Sequence, residues 1–176
     1  MKTSHHTALS LIISIGLIIS SSSQKKEDSS SPENNIEQVE STEITTNEQG
    51  SYVPDTSGKL QAISEEEFIK YITDINNPKG FQYKGSIPCI VDFYADWCRP
   101  CHALNPILVE LGEKYKGQII IYKLNVDRAV IVSEAFGVRS IPTLIFFTPQ
   151  SMPAKMEGAP SKEELEKAIS DLLLTK

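Results

Sequence analysis

Residues 88–101 read Pro88-Cys89-Ile90-Val91-Asp92-Phe93-Tyr94-Ala95-Asp96-Trp97-Cys98-Arg99-Pro100-Cys101. Residues 88–95 are a near-continuous apolar run of strand length, the pattern of a strand covered on both faces. Beyond them, Leu104, Ile107, Leu108 and Leu111 recur at helical spacing, so a helix is expected over residues 98–115. Two more apolar runs, residues 119–124 and 143–147, read as buried strands, with a short helix over residues 129–136 between them. Ser64 with Glu67, and Ser161 with Glu164, are capping boxes. The first opens a helix carrying Phe68, Ile69, Ile72 and Ile75, ended by Asn77-Pro78; the second opens a helix carrying Leu165, Ala168, Ile169 and Leu172. Strands alternating with helices at these lengths imply an α/β sheet with helices on both faces.

Upstream the composition changes. Residues 8–20 form an apolar run of 13 preceded by Lys2 and followed by small residues. As a helix it would reach ~20 Å, short of a bilayer core of ~30 Å. Residues 1–23 therefore read as a signal peptide, with an uncleaved N-terminal anchor as the alternative. Residues 24–58 hold only Ile36, Val39, Ile44, Tyr52 and Val53 as large apolar side chains and are expected to be a disordered acidic tether. The charge is local: residues 21–58 carry two lysines against eight acids, while residues 59–176 carry 14 basic and 15 acidic groups, within a chain of formal net charge −6. That balance excludes a basic nucleic-acid reader. Export is expected, to a periplasm or comparable compartment, with membrane contact only through an anchor.

The three cysteines are too few for a disulfide-stapled mini-protein or a four-cysteine zinc site. Cys98 and Cys101 fall where the strand passes into the helix. Free N–H groups and the positive end of a helix dipole favour a thiolate there, which makes Cys98 a candidate nucleophile. Two intervening residues in a first helical turn bring Cys101 within reach of a mixed disulfide on Cys98. Pro100 costs little in a first turn. Half of a zinc site looks the same, with Cys89, His102, His5 and His6 as the remaining ligands, and so does a purely structural disulfide. Asp92, an acid within an apolar strand, should have a raised pKa through desolvation. Trp97 alone reads equally well as core or surface packing.

Residues 91–101, then Lys123-Leu124-Asn125-Val126-Asp127, then Gly137-Val138-Arg139-Ser140-Ile141-Pro142-Thr143, resemble the thioredoxin family in order and spacing. The resemblance covers about residues 60–174, nearly the whole of a domain placed at 59–176. It implies a thioredoxin fold, with a central mixed β-sheet, and a redox-active Cys98–Cys101 disulfide that needs no metal and no bound cofactor. It assigns proton transfer with Cys101 to Asp92, matches Lys123 to a lysine beside that acid, and places Trp97 at the site. Pro142 matches a cis proline lying against the disulfide, which would leave the Ile141 backbone to pair with an extended substrate. Gly158, in Glu157-Gly158-Ala159, matches a glycine that lets a substrate backbone approach.

Departures from the family leave choices open. Arg99 replaces the usual glycine between the cysteines; a guanidinium near Cys98 would favour its thiolate and make the disulfide more oxidising, unless the side chain points into water. His102 stands where lysine is common, and residues 148–153 replace a glycine-containing turn. Pro106 inside the site helix should kink it. Cys89 reads as an inert core thiol. The expected function is reduction or isomerisation of disulfides in other exported proteins, by a monomer served by a membrane or envelope redox partner. A net oxidant and a redox-inactive peptide-binding module are the alternatives.

Overall fold

The computed structural model describes residues 52–175. The expected leader, and the expected tether up to residue 51, lie outside the described residues.

Nine elements follow in order: β1 (Gln61–Ala62), α1 (Glu65–Glu67, continuing as a wider π-helical turn over Phe68–Ile72), β2 (Cys89–Tyr94), α2 (Arg99–Lys114), β3 (Ile120–Asn125), α3 (Val130–Ala135), β4 (Thr143–Phe147), β5 (Ala154–Glu157) and α4 (Lys162–Ala168, continuing as a π-helical turn over Ile169–Leu173). The sheet order is β1-β3-β2-β4-β5. β1 and β2 run parallel to β3, whereas β4 runs antiparallel to both β2 and β5, so the sheet is mixed.

Strand alternation divides the core into two layers. Cys89, Val91 and Phe93 of β2 face one side with Tyr122, Leu124, Ile145 and Phe147, where Phe68, Ile72 and Val132 cover them from α1 and α3. Ile90 faces the other with Ile121, Leu144 and Phe146, beneath Leu104, Leu108 and Leu111 of α2 and Leu165 and Ile169 of α4. By the same alternation Asp92 belongs to the α2 side. The sheet thus carries helices on both faces, and α2 covers the face to which Asp92 belongs.

Both capping boxes form. Ser64 Oγ accepts the Glu67 N–H while the Glu67 carboxylate accepts the Ser64 N–H, and Ser161 and Glu164 repeat the exchange. The first helix ends sooner than its apolar spacing suggests, at Ile72 and not beyond Ile75. Thr73 turns extended and donates its N–H back to the Phe68 carbonyl, while the Lys84 N–H takes the Ile72 carbonyl. A partner from a distant segment thus satisfies a carbonyl that another turn of helix would otherwise have used. α2 continues through Pro106 from Arg99 to Lys114.

The packed unit also begins earlier than residue 59. Tyr52 stacks on Tyr71 with ring centroids 4.5 Å apart, and its hydroxyl hydrogen-bonds that of Tyr122. The Gly117 N–H donates to the Thr56 carbonyl at 3.1 Å, and the Gln61 side chain donates to the Asp55 carbonyl. Residues 52–58 lie on the domain because their aromatic and backbone groups find partners there, which a count of apolar residues does not register. No helix among the described residues is long and apolar enough to cross a membrane.

Candidate active site

The site begins where β2 ends. Cys98 is the N-cap of α2 in an extended conformation, and its sulfur accepts the Cys101 N–H at 3.2 Å. One of the donors that a helix start leaves without a backbone partner is thereby aimed at sulfur, a placement that favours negative charge there. Cys98 and Cys101 are joined as a disulfide with Cα atoms 5.3 Å apart. Both residues are buried, in a small cluster with Ala95 on which Tyr94, Val126 and Ile141 pack. Pro100 sits in the first turn as expected.

The Ile141–Pro142 peptide bond is cis. Ile141 precedes the first ladder pairs of β4, which start at Thr143 opposite Phe93 and Glu157. Its side chain packs on the disulfide cluster. The Pro142 carbonyl is taken by the N–H of Gly158 at 2.8 Å, so the proline turn and the end of β5 are tied together. Trp97 is 70% exposed, and its indole N–H donates to Asp127 at 2.9 Å. Of these residues Ile141 packs on the disulfide cluster, Pro142 follows it across the cis bond, Gly158 is bonded to Pro142, and Trp97 precedes Cys98 in the chain.

Asp92 is fully buried, and neither carboxylate oxygen has a hydrogen-bond partner. Burial pushes its pKa up to about 6, against a smaller lowering by the Lys123 ammonium. Lys123 is its register neighbour on β3, with Nζ 3.8 Å from the nearer carboxylate oxygen. That ammonium donates to the Asn105 side-chain carbonyl at 2.6 Å and lies 4.3 Å from the centre of the Tyr94 ring. Burial lowers the Lys123 pKa, opposed by the charges of Asp92 and Asp96.

Arg99, the first residue of α2, is exposed, and no carboxylate lies within ion-pair distance of it among the described residues. The His102 ring donates to the Asp96 carbonyl at 2.7 Å. Cys89 lies in the opposite core layer from Asp92; burial pushes its thiol up to about 12, which leaves it an inert core thiol. No metal-binding cluster of histidine, cysteine and acidic side chains forms among the described residues.

Two contacts at the site were not anticipated. Asp127 lies inside a recognisable motif, but nothing in its spacing marks it as the acceptor for Trp97. Asn105 draws notice in the sequence only for preceding Pro106, although it is the residue that holds Lys123.

The family model described as Thioredoxin matches residues 59–171. A thioredoxin of Borreliella burgdorferi is 36% identical over 110 residues, covering 62% of this chain and 94% of that protein. A thioredoxin of Alicyclobacillus acidocaldarius subsp. acidocaldarius is 38% identical over 102 residues, 58% of this chain and 95% of that protein. A chloroplastic M-type thioredoxin of Spinacia oleracea is 37% identical over 109 residues, 61% of this chain and 60% of that protein. Since the matched stretch takes in all five strands and the disulfide at the head of α2, the chain belongs to the thioredoxin family and is a thiol–disulfide oxidoreductase.

Proposed function

We propose that the protein is exported and reduces or isomerises disulfides of other exported proteins, with Cys98 as nucleophile, Cys101 as resolving thiol and Asp92 as proton acceptor. The observation that carries this reading is the placement of the Cys98 sulfur at the N-cap of α2, accepting the Cys101 N–H. In the reduced protein the Cys98 thiolate attacks a substrate disulfide, forming a mixed disulfide and releasing one substrate thiolate. The Cys101 thiol then gives its proton to Asp92 by way of water and attacks the Cys98 sulfur. The Cys98–Cys101 disulfide forms, the second substrate thiolate leaves and takes up a proton, and two electrons have passed to the substrate. An envelope dithiol donor returns the pair to the reduced state.

The magnitude of the Asp92 shift supports its role. Raising the carboxyl from 3.8 to about 6 makes proton transfer to it from any thiol easier by about 3 kcal/mol. The group still stays mostly ionised at neutral pH. Trp97, Ile141, Pro142 and Gly158 form the surface on which an extended substrate chain lies, with the Ile141 backbone pairing to it. The apolar leader of residues 8–20 and the acidic stretch after it support export, with the tether spacing the domain from a membrane when the leader is retained.

Insulin reduction by the purified chain tests the chemistry. Cys98→Ser is expected to abolish turnover and Cys101→Ser to accumulate the mixed disulfide; turnover surviving in Cys98→Ser would overturn this mechanism, and absence of turnover in the parent chain would make the protein a redox-inactive peptide-binding module. The exposed guanidinium of Arg99 beside Cys98 favours a second reading, a net oxidant. The reduction potential separates the two: near about −270 mV it supports a reductase, near about −120 mV an oxidant. Cell fractionation and N-terminal sequencing of the mature chain test export.

A further inference from the structure

Lys123 has two oxygen partners in reach and bonds only one of them. Its ammonium donates to Asn105 Oδ1 at 2.6 Å but stays 3.8 Å from Asp92, whose oxygens are both buried without a hydrogen bond. A charge-assisted N–H···O bond to a carboxylate closes to about 2.7–2.9 Å where geometry allows. Here the neutral amide has the bond and the buried acid does not. Asn105 is on α2, one helical turn beyond Cys101, so the two residues share a face of the helix. That helix covers the side of the sheet to which Asp92 belongs.

We propose that Asn105 is a positioning residue whose side-chain carbonyl holds the Lys123 ammonium off Asp92, keeping the carboxylate free to accept a proton instead of closing into an ion pair. The inference rests on the proton-transfer reading of Asp92. The groups facing that carboxyl are few. β3 contributes Lys123, β4 the uncharged Leu144, and β2 itself Tyr94, whose ring also lies against the ammonium, while from α2 Asn105 reaches the ammonium. Asp96 acts on Lys123 but not directly on Asp92. Position of the one ammonium is therefore the main electrostatic variable at this acid.

The test is titration of the Asp92 carboxyl carbon by NMR in the reduced full chain, alongside the pH profile of insulin reduction. Asn105→Ala, with Asn105→Ser as a second removal of the carbonyl, is expected to let the ammonium close on Asp92 and move the carboxyl midpoint down by about one pH unit, a tenfold change in proton affinity. Asn105→Gln should return it toward the parent. In a Lys123→Gln background the same Asn105 substitutions should shift nothing, an outcome that a merely structural role for Asn105 does not produce. An unmoved or raised midpoint in Asn105→Ala and Asn105→Ser overturns the proposal, as does an equal shift with and without Lys123. If the midpoint falls while the acid limb of the pH profile stays in place, Asn105 does hold Lys123 as inferred, and proton acceptance by Asp92 is the reading that fails.

Discussion

The N–H of Gly158 donates to the carbonyl of Pro142 at 2.8 Å, which couples the end of β5 to the cis proline that follows Ile141, a residue packed on the disulfide cluster. Gly158 has φ +89°, and a Cβ added there meets nothing within 4 Å. The conformation disfavours an L side chain by about 1–2 kcal/mol, yet no neighbouring atom has to move. Gly158→Ala should therefore lower stability by about 1 kcal/mol in urea titration. Its new methyl would project into the proposed path of the substrate chain, so KM for a protein disulfide should rise severalfold with kcat nearly unchanged. A small aromatic disulfide should be reduced at the parental rate; equal losses on both substrates would place the effect in the disulfide itself.

Asp92 makes stability depend on pH in an unusual direction for an acid. Its folded pKa of about 6 lies above the ordinary 3.8, so the folded protein holds the proton more tightly than the unfolded chain. The contribution is fully present below about pH 4 and is lost as pH rises through about 6. At about 1.4 kcal/mol per unit, the total is about 3 kcal/mol. Asp92→Asn removes the ionisation. Urea midpoints of variant and parent should nearly coincide at pH 4 and diverge until the variant is about 2–3 kcal/mol more stable at pH 8. An offset that does not change with pH would contradict the buried, raised carboxyl.

The central strands and α2 were legible in the sequence because burial on both faces leaves continuous apolar runs and α2 has a strict apolar stripe. β4 lies at residues 143–147 as read, and Cys98 proves to be the cap of α2 and not its first turn. β1 has two residues, too few to show a period, and β5 has only half-buried and exposed positions, so neither strand announces itself. The shortening of α1 depends on Lys84 reaching back to Ile72, a contact twelve residues away that no local pattern encodes. At the site, residue identity and order marked the cysteines, Asp92 and Pro142. The Lys123–Asn105 and Trp97–Asp127 bonds needed coordinates, because each depends on how elements from different segments meet in space.

Trp97 is the only tryptophan in the chain, so its emission reports on this one contact. Asp127 holds the indole N–H, and is itself positioned by a bond from its N–H to the Asn125 side-chain carbonyl at 2.9 Å. Asp127→Ala should leave stability within about 1 kcal/mol of the parent, since the bond is exposed and such bonds contribute about that much. Fluorescence anisotropy should fall as the ring gains freedom, and KM for protein substrates should rise. Asp127→Asn, which keeps an acceptor oxygen, should retain most of the anisotropy. Unchanged anisotropy in Asp127→Ala would show that packing and not this bond orients the ring.

Gly58 and Gly112 meet backbone to backbone. A Cβ on Gly112 would come 2.2 Å from the Gly58 carbonyl oxygen, and one on Gly58, at φ +92°, would come 2.8 Å from the Gly112 oxygen. These are main-chain atoms, so no flexible side chain can swing aside. Two effects oppose each other in Gly112→Ala: alanine in a helix gains about 1 kcal/mol over glycine, while overpacking costs about 1–3 kcal/mol. A contact as short as 2.2 Å requires the segment before β1 to lift from α2, so the loss should win by about 1–2 kcal/mol in urea titration. Proteolysis upstream of residue 59 should accelerate, and insulin reduction should persist, because Cys98 and Cys101 lie about three to four turns away at the other end of the helix. A gain of about 1 kcal/mol would mean that helix propensity alone decides the outcome and that residues 52–58 contribute nothing to the stability of the domain.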